Sequence, residues 1–226
     1  LDLPGFGNSA VPFGRYSPTN YAAIINWLKQ GYSKEKVIVV GHSMGAMVAT
    51  LFTACFPEKV KSLTLIDGIG FITTPAQDVV KQLQQAFDNR ERLSKKPSKV
   101  YTSLDLLIAM RMQASDLNEE NAHLIMKRNC MNVNNGVKLT IDPKLKLASA
   151  FRFCDEQAHS ICKNISIHTN VILASSNNAG FTDAYVRYAH DFQSISCYEL
   201  EGGHHCHMEQ PQALAAILRQ IIALSN

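Results

Sequence analysis

Four apolar residues stand together at Val37-Ile38-Val39-Val40, between Lys36 and Gly41. A run without polar alternation predicts a strand buried on both faces, as in a parallel sheet. Residues 60–67 (Val-Lys-Ser-Leu-Thr-Leu-Ile-Asp), 169–174 and 194–200 read as further strands. Between them the apolar spacing turns helical. In 18–30, Tyr21, Ile24, Ile25 and Leu28 share one face; Pro18 and Thr19 give a start signal and Gly31 a stop. Residues 44–55 read as an apolar helix rich in Ala and Met, ended by Pro57. Another helix is expected near 183–191. At the end, Leu214, Ile217, Leu218, Ile221 and Ile222 line one side of the segment Pro211–Leu224. That is an amphipathic closing helix with proline in its first turn. Strand and helix in alternation predict a doubly wound α/β sheet.

After Gly70 the pattern changes. Residues 75–95, 103–114 and 117–131 read as amphipathic helices with polar linkers. Residues 133–142 look turn-like or extended, and a further helix is expected from 143 to about 153. No strong core strand is seen there, so the stretch reads as a helical insertion. The expected organisation is a first part of the core at 1–70, the helical insertion at 71–164, and a second part of the core at 165–226. The chain opens on Leu1-Asp2-Leu3, which has strand character. A portion of the domain is therefore expected to precede it.

The segment with chemical promise is Gly41-His42-Ser43-Met44-Gly45, a match to G-x-S-x-G. It follows a strand and opens a helix, the setting of a nucleophile elbow. There the turn is so tight that side chains two positions either side of the serine would collide, which accounts for Gly41 and Gly45. Ser43 is lifted to the helix N-terminus, where the Met44 amide can donate to an oxyanion. The bland alternative is an ordinary glycine-rich turn. A second glycine segment, Gly5-Phe6-Gly7-Asn8-Ser9-Ala10, fits G-x-G-x-x-A, but Pro4 and Pro12 leave no room for the helix a dinucleotide site needs.

With these residues the chain resembles the α/β-hydrolase superfamily. Asp2-Leu-Pro-Gly-Phe-Gly-Asn-Ser9 is similar to the family's D-x-P-G-x-G-x-S segment. Gly41–Gly45 is similar to its elbow. Gly203-His204 with Glu209-Gln210-Pro211 is similar to its G-H-x-x-x-x-E-x-P segment. Within the superfamily, Cys55-Phe56-Pro57-Glu58, Leu65-Ile66-Asp67 and the His-Cys-His-Met run resemble the serine hydrolase-like (Kraken-type) proteins. The resemblance implies an α/β-hydrolase fold, mostly parallel, with the helical insertion as its cap. It also implies strands before Asp2, including the loop that gives the second oxyanion N–H.

Serine needs a neutral imidazole to take its proton, and in this fold the order is serine, acid, histidine. The base therefore falls in Gly202-Gly203-His204-His205-Cys206-His207. The two glycines let His204 point back across the sheet edge. The resemblance puts the base at the same position. His205 should point away, and His207 falls in the first turn of the closing helix. His42 reads as lining or packing. Adjacent residues on a turn diverge, so a metal held by His204, His205, Cys206 and His207 is not expected. For the acid, the family's usual loop, residues 175–181, has no carboxylate, and Asn178 takes the slot. Asp67, at the end of the strand after the elbow, and Asp183 both stay open, as does the absence of any acid partner. For Asp67 the plain alternative is a cap on its own turn.

Composition adds exclusions. The chain has 226 residues, 46% of them hydrophobic and 18% charged, ordinary for a globular domain with a sizeable core. A formal net charge of +3 gives no reason to expect a nucleic-acid partner. No apolar run approaches the ~18 residues of a membrane span. Six cysteines without a CxxC pair fit mostly buried thiols in a reducing compartment, hence a cytoplasmic protein. No cofactor is implied. The expected protein is a serine hydrolase acting on a small or medium apolar ester through an acyl-enzyme. The alternatives are a catalytically silent ligand-binding protein on the same fold, or a lyase or thioesterase using the same site.

Overall fold

The computed structural model describes residues 2–7, 9, 16–32, 34–97, 99–176 and 179–224. Packing divides the chain into two units: Leu1–Ser17 with Gln77–Phe151, and Pro18–Ala76 with Arg152–Asn226. In chain order the second unit begins with α1 (Pro18–Tyr32), β1 (Val37–His42), α2 (Met44–Cys55) and β2 (Val60–Ile66). The first unit then contributes α3 (Val79–Ser94), β3 (Val100–Tyr101), α4 (Leu104–Gln113), α5 (Glu119–Arg128), β4 (Cys130–Val133) and β5 (Gly136–Leu139). The second unit resumes with α6 (Asp155–Lys163), β6 (Thr169–Ala174), α7 (Ala179–Tyr188), β7 (Ile195–Leu200), α8 (Cys206–Glu209) and α9 (Pro211–Leu224).

The second unit is built on a sheet of order β1-β2-β6-β7, every pair parallel. Side chains alternate between its faces. Leu63, Leu65 and Val171 point to one face, where they pack with Ala46, Ala49 and Phe52 of α2. Ile66, Ile172, Ala174 and Leu200 point to the other, against Leu214, Ile217 and Leu218 of α9. Each fully buried Leu, Ile, Val or Phe among them contributes about 1.5–3 kcal/mol. The central strands are buried nearly throughout, as their sequences predict. β1 is different: Ile38 is 38% and Val40 45% exposed, although the unbroken apolar run predicts burial on both faces. The reason is topological. β1 lies at the end of the described strand order, and only its other face meets α2.

The first unit carries a small antiparallel sheet of order β3-β5-β4 beside its helices. Residues 133–142, read as turn-like or extended, include the Val133–Gly136 hairpin pair and β5. Ser103 and Asn118 cap α4 and α5, accepting from Leu106 N at 3.1 Å and Asn121 N at 2.8 Å. The beginning of the chain packs here too. Tyr16 donates its hydroxyl to Asp142 Oδ2 at 2.6 Å, Asp142 N donates to Gly5 O at 3.1 Å, and Arg128 pairs with Asp2 at 2.5 Å.

Some expectations change. Asp2 and Leu3 are not in a strand, and Leu1 lies outside the described residues. The helix expected over 143–153 is one short 3₁₀ turn, Pro143–Lys146. The helix of that region is α6, whose start is marked by Gln157, its side-chain oxygen accepting from Cys154 N at 3.1 Å. All six cysteines are free thiols, but only Cys162 and Cys206 are buried. No described helix is long and apolar enough to cross a membrane.

Candidate active site

β1 ends at His42 and α2 begins at Met44, so Ser43 alone makes the turn. Its backbone is strained, with φ 53° and ψ −117°. Hydrogen bonds hold it there: Ser43 N donates to Ile66 O at 3.1 Å, and Ser43 O accepts from Ala46 N at 2.9 Å. Gly41 is obligatory, because a Cβ there would lie 2.3 Å from Gly45 O. Gly45 differs from expectation. A Cβ on it would meet nothing within 4 Å, so the crowding falls on Gly41 alone. Met44 is the first residue of α2. Its N–H has no intrahelical acceptor and lies at the positive end of the helix dipole.

Asp67 is the residue after β2, with φ 41°, and it is fully buried. Its N–H donates to Ile172 O at 2.8 Å, and its Oδ1 accepts from Ala174 N at 3.2 Å. Its other oxygen, Oδ2, lies 2.6 Å from His204 Nδ1. His204 Nε2 in turn lies 2.9 Å from Ser43 Oγ. A carboxylate only accepts, so the proton belongs on Nδ1, and Nε2 keeps the lone pair that faces the serine hydroxyl. Gly68 packs under the turn, where a Cβ would be 3.1 Å from both Ser43 Cα and Ala46 Cβ. Asp183 is exposed on α7; the carboxylate at hydrogen-bond distance from His204 Nδ1 is that of Asp67. Asn178 lies outside the described residues.

Three further groups position His204, and the sequence reading assigned none of them this part. Phe181 stacks on its ring, centroids 4.6 Å apart and planes 13° apart. Glu209 Oε2 accepts from Gly203 N at 3.3 Å, bracing the turn that delivers His204. A Cβ on Gly202, at φ 120°, would sit 2.5 Å from that carboxylate. His42 Nε2 lies 2.7 Å from the His204 carbonyl. Glu209 belongs to the G-H-x-x-x-x-E-x-P segment, so a signal for it was present. Phe181 left none.

His42 packs against neighbouring rings, as expected, but His207 lies in the short helix α8 and not in the closing helix α9. His205 does not point away. Its ring centroid lies 5.6 Å from that of His42, and the centroid of His207 lies 4.1 Å from it. Burial, and then the charge of His207, push His42 down to about 4. Burial, and then His205 and His204, push His207 down to about 4. Both rings are therefore neutral near pH 7. Buried Cys206 is held at about 11 by desolvation and by the nearby Asp67 charge, so it stays a thiol.

A hydroxyl, an imidazole acceptor and a buried carboxylate in one hydrogen-bonded chain can generate a serine nucleophile. A family model described as "alpha/beta hydrolase fold" matches residues 1–209. A "Serine hydrolase-like protein" of Danio rerio is 23% identical over 98% of this chain and 72% of the relative. "Serine hydrolase-like protein 2" of Homo sapiens is 26% identical over all of this chain and 78% of the relative. Among solved structures, a hypothetical protein of Pseudomonas aeruginosa PAO1 superposes with a TM-score of 0.90 at 26% identity, covering 99% of this chain and 81% of the other.

Proposed function

The chain belongs to the α/β-hydrolase family, and from that premise we propose that it is a serine hydrolase cleaving small or medium apolar esters. The observation that supports this reading is the unbroken chain from Ser43 Oγ to His204 at 2.9 Å and from His204 to Asp67 at 2.6 Å. Ser43 attacks the acyl carbonyl carbon as its proton passes to His204 Nε2. Asp67 stabilises the imidazolium, and the Met44 N–H receives charge developing on the carbonyl oxygen. The imidazolium then gives its proton to the departing alkoxide, leaving an acyl-enzyme. Water, deprotonated by the same imidazole, releases the acid and restores Ser43.

Of the expected cap, residues 71–164, we read 77–151 as the part that serves as the cap, because 71–76 and 152–164 belong to the sheet-bearing unit. The preference for an apolar substrate rests on side chains exposed there, among them Val80, Phe87, Leu106 and Met110. The six free thiols favour a reducing, cytoplasmic setting. A fluorophosphonate probe tests the reading: Ser43 should label, and Ser43→Ala should abolish labelling together with turnover of short-chain nitrophenyl esters. A protein that folds but never labels is a binding protein and refutes it.

A further inference from the structure

His42, His205 and His207 converge although the first and second stand 163 positions apart in the chain. Their candidate ligand nitrogens all lie within 4.8 Å of one another, and all three side chains are only partly buried. We propose that these three histidines form a binding site for a first-row transition-metal dication such as Zn²⁺, beside but separate from Ser43, His204 and Asp67.

The chemistry of the donor set carries this. Neutral imidazole suits Zn²⁺, Cu²⁺, Ni²⁺ and Co²⁺, and the absence of a carboxylate among the three disfavours Mg²⁺ or Ca²⁺. His42 already has the outer hydrogen bond expected of a ligand. The His204 carbonyl can only accept, so at 2.7 Å His42 Nε2 must carry the proton. The lone pair is left on Nδ1. A metal-bound histidine usually donates its other N–H to such a carbonyl, which fixes the tautomer and the ring. In His207, Nδ1 is buried without a hydrogen-bond partner. Such an atom is expensive to leave unmade and is relieved by a ligand. Tetrahedral binding at about 2.0–2.1 Å needs nitrogens ~3.3 Å apart, so the His205 and His207 rings must turn inward to close on an ion. His204 stays outside the set, because Asp67 and Ser43 occupy both its nitrogens.

A second group, His159, His190 and Asp191, has ligand atoms equally close. One carboxylate oxygen is already engaged by His159, and the other, buried without a hydrogen-bond partner, lies 3.7 Å from Lys163 Nζ. A cation beside a lysine is the poorer site.

The test is calorimetric titration of the metal-free full chain with Zn²⁺. One ion per chain is expected, with His205→Ala and His207→Ala each weakening binding tenfold or more. Ser43→Ala and His159→Gln should bind as the parent does. Because Ser43→Ala keeps the metal and loses labelling, failure here and failure of the hydrolase reading are distinguishable. In case a variant does not fold, Cu²⁺ bound to the unaltered chain is examined by electron paramagnetic resonance, where coupling to at least two imidazole nitrogens is expected. No saturable binding, coupling to fewer nitrogens, or binding lost in His159→Gln and kept in His207→Ala overturns the proposal.

Discussion

Ser43 and Asp67 each stand one residue beyond the last registered pair of neighbouring parallel strands, His42 with Ile66, and both have positive φ, 53° and 41°. Among the described residues they are the two non-glycine positions with that conformation. Backbone strain, of about 1–3 kcal/mol each, is thus concentrated at the two ends of the hydrogen-bonded chain that runs through His204.

Relieving the strain should separate stability from activity. Ser43→Gly tolerates the elbow conformation, whereas Ser43→Ala keeps the Cβ that suffers there. Both should be inactive. We expect Ser43→Gly to be the more stable by about 1 kcal/mol, strain relief exceeding the entropy glycine adds to the unfolded chain. Urea midpoints compare the two; equal midpoints would show that the elbow stores no strain.

Asp67→Asn should slow turnover by a factor on the order of 10³–10⁴. An amide offers its oxygen to only one of the two donors, Ala174 N and His204 Nδ1, that the carboxylate serves. Presenting its NH₂ to His204 reverses the tautomer, and Nε2 then faces Ser43 with a proton. Near-UV circular dichroism should stay native. Turnover within tenfold of the parent would remove Asp67 from the mechanism.

The two glycines of the elbow should not respond alike. Gly41→Ala drives a methyl group onto the Gly45 carbonyl and should cost about 3 kcal/mol or more, the upper end of overpacking. Gly45→Ala enters open space at the start of α2 and should be neutral or stabilising by up to about 1 kcal/mol. Thermal melts of the pair decide; comparable losses would contradict the one-sided crowding.

Acid should weaken the fold through His42 and His207. Both lie at about 4 when folded, against an ordinary 6.5. Above 6.5 folded and unfolded chains alike hold neutral rings. Between 6.5 and about 4 the unfolded chain takes up protons that the folded chain refuses, so stability falls as pH falls through that window and levels off below it. The rings of His204 and His205 and the buried Asp67 carboxylate face the same pair, and the latter opposes the effect on His42. With metal removed, the urea midpoint should decline across the window, and His207→Gln should flatten the decline. A variant as pH-sensitive as the parent would place the effect elsewhere.

What the chain discloses by itself follows from how local each signal is. β2, β6, α2 and α9 are legible because burial on two faces or one is written into consecutive residues. The exposure of Ile38 and Val40 is not, since the apolar run is the same whether or not a strand has neighbours on both sides. α6 hid behind Cys154, a residue with no reputation as a cap, and β3 to β5 are too short to show a period. Ser43 and the turn before His204 have local grammar in their glycines. Asp67 and Asp183 look equivalent as letters, and distance from His204 is the quantity a sequence lacks. The same blindness conceals the meeting of His42 with His205 and His207, for divergence along one turn says nothing about a ring arriving from another strand.

The packing of Tyr16 on Asp142, and of Gly5 on the same residue, makes residues 1–17 and 77–151 one module in two pieces. A transplant cut only at Gln77 and Phe151 would leave those partners behind on the recipient, mismatched to their new neighbours. Recombination among relatives, in nature or in a library, should therefore yield functional chimeras mainly when the leading seventeen residues travel with the insertion. Ser43, His204 and Asp67 are drawn wholly from the other unit, so such an exchange would leave all three in the recipient chain.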